Sequence, residues 1–152
     1  MSMNRRTVVK AIAASGALMG LGALMPRVAM AAWNKSAFEA KSEADALNAL
    51  YGGAAEASAD VVLKAPDIAE NGAVVPVTVS SKLANVESMS IFVEKNPTPL
   101  AVEFTIPAGT EADVSTRVRM GKTTMVTAVV KAGGKLYSAS KEVKVTIGGC
   151  GG

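Results

Sequence analysis

The chain contains 152 residues, of which 16 are Lys or Arg, 13 are Asp or Glu and one is Cys, and it has no His. The absence of His excludes His-ligated zinc and haem sites and nucleophilic sites that need an imidazole base. The single Cys excludes an internal disulfide framework, a CxxC redox pair and a thiolate metal cluster. The length is that of one domain with short additional segments.

The positive charge of the sequence is concentrated at its start. Four basic residues, Arg5, Arg6, Lys10 and Arg27, lie in the first 31 residues, which contain no acid. The remaining twelve basic and thirteen acidic residues give the rest of the chain a net charge of −1. Nucleic-acid binding requires a basic face that neutralises phosphates, so the composition of the body argues against it.

Residues 1–31 have the layout of a signal peptide. A basic head precedes an uncharged stretch of 15 residues, 11–25, and Ala29-Met30-Ala31 forms a small-x-small cleavage site. The stretch is too short for a transmembrane helix, which needs about 20 apolar residues. The pair Arg5-Arg6 followed by Lys10 indicates the twin-arginine export route. We therefore expect a mature periplasmic protein, from about Ala32, with no membrane segment after signal removal.

Twin-arginine export carries folded cargo, which suits a protein that must acquire a cofactor or a partner before export. The sequence offers almost no cofactor ligands, so we expect no cofactor. Export together with a folded partner that lacks its own signal peptide explains this route better than cofactor loading does. Domain boundaries follow from these segments: a signal peptide over 1–31, a domain over 32–147 and a tail over 148–152.

A short helix is predicted over residues 37–51, possibly in two pieces. Ser36 and Ser42 each precede an acid by three residues, the spacing of an N-terminal cap. Gly52-Gly53 ends the segment as a glycine C-cap does. Its apolar stripe consists of Phe38, Ala46, Leu47, Leu50 and Tyr51.

From Asp60 onward, apolar residues recur at every second position, which predicts strands. About seven runs follow one another, separated by turn signals such as Glu70-Asn71-Gly72 and Gly133-Gly134: 61–63, 75–79, 91–93, 100–106, 114–120, 126–130 and 143–147. This spacing predicts a mainly all-β fold, an immunoglobulin-like antiparallel β-sandwich. Val74-Val75 and Val129-Val130 place apolar side chains on both faces, which indicates either a sheet covered by a partner or strand-edge effects.

The chain ends with Gly148-Gly149-Cys150-Gly151-Gly152. The last apolar alternation stops at Ile147, and four glycines cost much backbone entropy to order. We therefore expect a flexible C-terminal arm that holds the Cys150 thiol clear of the domain. Because glycine has no Cβ, such an arm can enter a narrow channel in another protein. A thiolate is a good nucleophile that forms exchangeable bonds to sulfur, so Cys150 suits a covalent carrier.

The whole chain resembles the SoxY family, the sulfur-carrier subunits of the bacterial Sox thiosulfate-oxidising system. The terminal Gly-Gly-Cys-Gly-Gly carries the resemblance most specifically, and residues 65–77 and the 47–52 region add to it. The resemblance implies that Cys150 is the carrier cysteine and that Gly148, Gly149, Gly151 and Gly152 form its swinging arm. It implies a covalent substrate carrier that is not itself an enzyme, with no metal and no cofactor beyond the sulfur bound on Cys150.

The resemblance also implies partners. These are a SoxZ-like subunit in a heterodimer or higher assembly, a SoxAX-like c-type cytochrome that joins thiosulfate to the thiol, a SoxB-like manganese hydrolase that releases sulfate, and a SoxCD-like sulfane dehydrogenase. Each enzyme would act on sulfur tethered to Cys150.

Three alternatives remain beside the carrier. The first is a structural periplasmic sandwich whose Cys150 forms a disulfide with another chain. The second is a soft-metal site that combines Cys150 with Met89, Met120 or Met125. The third is an enzyme, although spacing forces no two of the candidate acids together: Asp60, Asp67, Glu70, Glu87, Glu94, Glu103, Glu111 and Asp113. The strand lysines either create a local field that favours anionic adducts or are ordinary solvated residues: Lys131, Lys135, Lys141 and Lys144.

Overall fold

A computed structural model describes residues 33–146. The predicted signal peptide, 1–31, and the predicted arm, 148–152, lie outside the described residues. Two helices come first, α1 (Lys35–Glu39) and α2 (Glu43–Tyr51). Nine strands follow: β1 (Glu56–Ala57), β2 (Val61–Lys64), β3 (Ile68–Ala69), β4 (Val75–Ser81), β5 (Val86–Val93), β6 (Leu100–Thr105), β7 (Asp113–Val118), β8 (Thr124–Ala132) and β9 (Lys135–Val145).

The helical segment forms in two pieces, as the sequence predicts, but the first begins two residues earlier. Asn34 rather than Ser36 caps α1, because its side chain accepts from the Ala37 amide at 3.2 Å. Ser42 caps α2 by accepting from the Asp45 amide at 3.1 Å. Gly52 ends α2 in the left-handed conformation, with φ of 74°, which glycine adopts without a steric penalty.

The strands form two sheets. The larger sheet has the order β1-β9-β8-β5-β6, and the smaller one has the order β2-β4-β7. The pairs β5–β6, β5–β8, β8–β9, β2–β4 and β4–β7 are antiparallel, which confirms the predicted immunoglobulin-like sandwich. Two short strands depart from that pattern, since β1 and β3 both pair with β9 in parallel. Their two-residue length gave no detectable alternation in the sequence.

The main core lies between the sheets. It contains the inward residues of the central strands, among them Val75, Val77, Val79, Met89, Ile91, Val93, Val126, Ala128, Val130 and Val143. A β-bulge between Ile91 and Phe92 shifts the β5–β6 register. Consequently Leu100 leaves the main core, although the sequence placed it on one face with Val102 and Phe104.

A second apolar cluster lies on the opposite face of the larger sheet. There Phe92, Leu100 and Val129 pack against Ala37 and Ala46 of the helices. The chain's own helices therefore cover this face. Val130 packs in the main core and Val129 packs under the helices, so both residues of this pair are buried. At the other such pair, Val75 is buried and Val74 is 52% exposed. Within residues 33–146, no helix has both the length and the apolar character needed to cross a membrane.

Candidate functional site

The sequence-predicted site, Cys150 with its four flanking glycines, lies outside the described residues. The structure does show where the chain leads into it, at the end of β9. The residues around that point come from four segments, 67–72, 94–98, 119–123 and 144–146, and are called the arm root below.

Hydrogen bonds hold the end of β9 from both sides. On one side the Lys144 amide donates to the Asp67 carbonyl at 2.9 Å, and the Thr146 amide donates to the Ala69 carbonyl at 3.2 Å. On the other side the Val145 amide donates to the Thr123 hydroxyl at 2.9 Å. The last described residues are therefore fixed to the sandwich.

Gly72 packs directly against this base. Its carbonyl accepts from the Met120 amide at 2.6 Å. A Cβ at residue 72 would collide with the Met120 carbonyl oxygen and would lie 2.9 Å from a methyl group of Val145. Only glycine permits this approach of three segments. The sequence predicted a turn at Glu70-Asn71-Gly72 but gave no sign of what the glycine packs against.

A second set of bonds joins residues 94–98 to residues 119–123. The Asn96 side chain donates to the Arg119 carbonyl at 2.7 Å and accepts from the Gly121 amide at 3.5 Å. The Lys95 ammonium donates to the Thr123 carbonyl at 3.3 Å. These bonds link the loop after β5 to the turn that also holds Val145.

The arm root contains four basic side chains and three acidic ones: Lys95, Arg119, Lys122 and Lys144, and Asp67, Glu70 and Glu94. Lys141 is paired, since its ammonium lies 3.0 Å from Asp67 and donates to the Ala65 carbonyl at 2.6 Å. Arg119, Lys122 and Lys144 are exposed, and no carboxylate of residues 33–146 lies within ion-pair distance of them. These three cations therefore have no ion-pair partner among residues 33–146.

The other candidate lysines and acids are mostly ordinary surface groups. Lys131 lies 2.8 Å from Glu87, and this hydrogen bond lowers the pKa of Glu87 and raises the pKa of Lys131. Lys135 is exposed at the turn before β9. Among the described residues, no three His, Cys, Asp or Glu side chains form a group able to hold a metal ion.

One acidic pair was missed by the sequence reasoning. Glu43 and Glu94 line a recess of about 690 Å³ beside the start of α2, together with Thr127, Ser138 and Ser140. Burial raises the pKa of Glu43, hydrogen bonding to Thr127 opposes this, and the charge of Glu94 adds to it. The two acids lie 51 residues apart in the chain, so no local pattern could have joined them.

The methionines considered as soft-metal ligands separate into two environments. Met89 is 0% exposed and Met120 is 2% exposed, and both pack in the main core. Met125 is 37% exposed on the other face of the larger sheet. The structure therefore does not bring the three thioethers together.

Comparison with known proteins gives the family. The sequence model of the family described as sulfur oxidation protein SoxY matches residues 47–150. The chain belongs to the SoxY family. The structure of the sulfur carrier protein SoxY from Chlorobium limicola f thiosulfatophilum is similar, with 45% identity and a TM-score of 0.63. That match covers 68% of this chain and 96% of the Chlorobium chain.

More distant matches share only the fold. Superoxide reductase (neelaredoxin) from Ignicoccus hospitalis is 18% identical, with a TM-score of 0.51, over 57% of this chain and 80% of that chain. Its E23A variant is 20% identical with the same TM-score of 0.51, over 65% and 87% of the two chains. A search of curated protein sequences gives no match. The SoxY family match therefore carries the functional argument.

Proposed function

We propose that this protein is a covalent sulfur carrier of periplasmic thiosulfate oxidation and is not itself an enzyme. The observation that carries the proposal is the 45% identity, over 96% of its length, to a structure described as the sulfur carrier protein SoxY. The family match also extends to residue 150, the position of the only Cys in the chain.

We propose that Cys150 carries sulfur through a cycle of loading, oxidation and release. Its thiolate and thiosulfate form an S–S bond, and two electrons pass to a c-type cytochrome enzyme like SoxAX. Water then cleaves the terminal S–S bond on a SoxB-like hydrolase, which releases sulfate and two protons and leaves a persulfide on Cys150. A SoxCD-like dehydrogenase removes six electrons from the outer sulfur, which takes three oxygens from three water molecules and releases six protons. A second hydrolysis on the SoxB-like enzyme releases this sulfur as sulfate with two protons and restores the thiolate. The thiolate is the reactive form at the loading step.

The arm residues Gly148, Gly149, Gly151 and Gly152 have the role of letting the thiol enter each enzyme in turn. Glycine has no Cβ and populates a wider range of backbone conformations than other residues, so four glycines suit this role. A SoxZ-like subunit is the partner with which the folded chain would be exported, since residues 1–31 supply the only signal the pair would need. The carrier requires no cofactor other than the sulfur held on Cys150.

The deciding experiment is an intact-protein mass spectrum of the exported chain from thiosulfate-grown cells. We expect adducts with the masses of thiosulfonate and persulfide groups, removable by a reductant and mapped to residue 150. Cys150→Ser is the control, since it keeps the folded domain and the signal but removes the attachment atom. We expect this variant to be exported and folded and to carry no adduct.

Two results would contradict the carrier. One is a bare thiol in cells that are actively oxidising thiosulfate. The other is Cys150 found only in disulfides with other protein chains, which favours the structural alternative. Loss of export or of thermal stability in Cys150→Ser would contradict the separation of the arm from the domain.

A further inference from the structure

The turn between β3 and β4 contains a pair of residues that can react with each other. Asn71 is exposed, and it is followed by Gly72, which has no side chain to shield the bond between them. We propose that Asn71 is a site of spontaneous covalent modification, in which the Gly72 amide nitrogen displaces ammonia and hydrolysis leaves aspartate or isoaspartate at residue 71. The reaction involves neither Cys150 nor its partners, so it is independent of the proposed function.

The reaction has two steps and needs only water. In the first step the Gly72 nitrogen bonds to the Asn71 Cγ, the bond from Cγ to Nδ2 breaks, and the Gly72 amide proton leaves with Nδ2 as ammonia. The product is a succinimide ring. In the second step a water molecule opens the ring and a proton is released from the new carboxyl group. Opening at Cγ gives aspartate, and opening at the main-chain carbonyl gives isoaspartate.

The nucleophile and the leaving group are both free of competing hydrogen bonds. Among residues 33–146, no acceptor bonds to the Gly72 amide and no group bonds to the Asn71 Nδ2. Because Asn71 is exposed, ammonia can leave and water can enter. A nucleophile that belongs to the same chain as its target acts at a high effective concentration when the geometry suits the attack.

The local fold orients and activates the Asn71 carboxamide. Its Oδ1 accepts a hydrogen bond from the Ala73 amide at 2.9 Å. This bond closes a ring that contains both the Asn71 Cγ and the Gly72 nitrogen, so the two reacting atoms are kept close together. Negative charge develops on Oδ1 during the attack, and an N–H group already aimed at that oxygen stabilises the transition state. The Ala73 amide therefore acts as an oxyanion donor.

The other asparagines of the described chain each lack part of this arrangement. A proline follows Asn96 and has no amide N–H. A β-branched valine follows Asn85 and crowds the attacking nitrogen. Asn48 lies inside α2, where backbone amides are engaged in the hydrogen bonds of the helix. The side chain of Asn34 is bonded through both its oxygen and its nitrogen. We therefore expect the reaction to be confined to Asn71.

Packing at the arm root requires the glycine that makes Asn71 reactive. A Cβ at residue 72 would collide with the Met120 carbonyl oxygen and would lie 2.9 Å from a methyl group of Val145. A larger residue that shields the Asn71 carboxamide is therefore excluded at this position. The same missing side chain serves the packing and leaves the carboxamide open to attack.

Isoaspartate changes the backbone where this packing is tightest. The main chain then passes through the Cβ and Cγ of residue 71, which adds a carbon atom directly before Gly72. The Gly72 carbonyl accepts from the Met120 amide at 2.6 Å, and the contact with Val145 leaves no room for a shift. We expect the added atom to break the bond to Met120. Aspartate keeps the ordinary main chain and should leave the bond in place.

The first experiment stores the exported chain in mildly alkaline buffer prepared with water that carries heavy oxygen. Peptide mapping by mass spectrometry then locates each conversion of an amide to an acid that has gained one labelled oxygen. The chain has no Gln, so every such conversion belongs to an asparagine. We expect conversion at Asn71 and not at Asn34, Asn48, Asn85 or Asn96. Protein isoaspartate methyltransferase with a labelled methyl donor measures the isoaspartate share.

Two controls test the role of the turn. Asn71→Ser keeps a side-chain oxygen that can accept from the Ala73 amide but has no carboxamide, so this variant should fold normally and gain no label. The second control is the same chain unfolded in urea, where the bond from Ala73 is absent. We expect Asn71 to react at least as fast in the folded chain as in the unfolded one.

The second experiment measures the effect on the arm root. Anion exchange separates the converted protein, which has one more negative charge, and hydrogen exchange at the Met120 amide reports its bond to Gly72. We expect this amide to exchange about tenfold faster in the isoaspartate form, as loss of one hydrogen bond would produce. Freshly purified Asn71→Asp has the same charge and an unaltered main chain, so its Met120 amide should exchange as in the intact protein.

Four results would overturn the inference. Asn71 could stay unconverted in the folded chain, another asparagine could convert equally fast, or Asn71 could react more slowly in the folded chain than in urea, which would mean that the turn protects it. Unchanged exchange at Met120 in the isoaspartate form would overturn the predicted effect on the arm root. The carrier proposal stands or falls separately, on the adducts found at Cys150.

Discussion

The outer faces of the two sheets differ in what covers them. On the larger sheet, Phe92 and Val129 point away from the main core and are still 0% and 1% exposed, because the helices pack over them. On the smaller sheet, the outward residues of β4 and β7 are small or polar, such as Thr78 and Ser115, whose hydroxyls lie 2.8 Å apart on an exposed surface. Strands under a face that the chain covers have apolar residues on both sides, whereas β4 and β7, whose outer face is open, alternate apolar and polar residues.

The helices add a third layer to the sandwich, and they do so only on the outer face of the larger sheet. Helix α2 places Ala46 against the sheet, and a residue of that size lets the helix approach closely. Burial of apolar surface stabilises the fold by about 25 cal/mol per Å². The covered face therefore contributes to the free energy of unfolding through buried apolar side chains, which the open face lacks. Three predictions would break or sharpen the contrast.

The largest effect is expected from the same substitution made on both outer faces. Val129→Ala removes two methyl groups from a fully covered position and should lower the free energy of unfolding by about 2 kcal/mol, from lost transfer energy and the cavity left behind. Val62→Ala, on the outward side of β2, should cost well under half as much, because Val62 is only half-buried. Urea denaturation of both variants measures the difference. Equal losses would mean that the helices do not cover the sheet in solution.

Most of the fold that supports this prediction was readable from the sequence. The seven long strands, the break between the two helices and the glycine at the end of α2 follow from local patterns, so short-range chemistry was enough. The pair Val129-Val130 indicated either a sheet covered by a partner or strand-edge effects. It could not show that α1 and α2 cover the sheet, because that contact joins residues about 90 positions apart. The parallel strands β1 and β3 are too short to carry a pattern.

The candidate site also has one part that the sequence predicts and one part that it does not. The prediction of Cys150 and its glycines as a carrier arm follows from the sequence, because the single Cys lies between two diglycines after the last predicted strand and the motif resembles that of the SoxY family. The arm root was not predicted, because Gly72, Thr123 and Asn96 have roles that depend on partners from distant segments. A glycine in a turn signal indicates a turn, and only the fold shows that it also lies against Met120.

A smaller effect is expected where the helix and the covered face meet through polar groups. The Tyr51 hydroxyl bonds to the hydroxyls of Ser88 and Ser90, and Ser90 is 0% exposed. Tyr51→Phe leaves the Ser90 hydroxyl without this partner, so we expect a loss of about 1–2 kcal/mol in the free energy of unfolding. Adding Ser90→Ala should recover part of it, since the Tyr51–Ser90 pair is then apolar while the Ser88 hydroxyl still lacks its Tyr51 partner. A double-mutant cycle measures the coupling, and simple additivity of the two losses would contradict the shared bond.

The smallest expected effect is electrostatic and depends on pH. Glu103 pairs with Ser90 across the β5–β6 ladder, and burial raises its pKa above the ordinary value of 4.5. The folded state then binds this proton more tightly than the unfolded state, so stability falls as pH rises from about 4.5 through the raised pKa. Glu103→Gln removes the charge and should raise the melting temperature slightly at pH 7, by less than Tyr51→Phe lowers it, because the side chain is still partly solvated. The gain should disappear below pH 4.5, where the wild-type carboxyl is protonated in both states. Thermal melts of both proteins across this range measure it, with Glu111→Gln at an exposed loop position as the control. A gain in melting temperature that is independent of pH would mean that packing of the amide, rather than removal of the partly buried charge of Glu103, stabilises the variant.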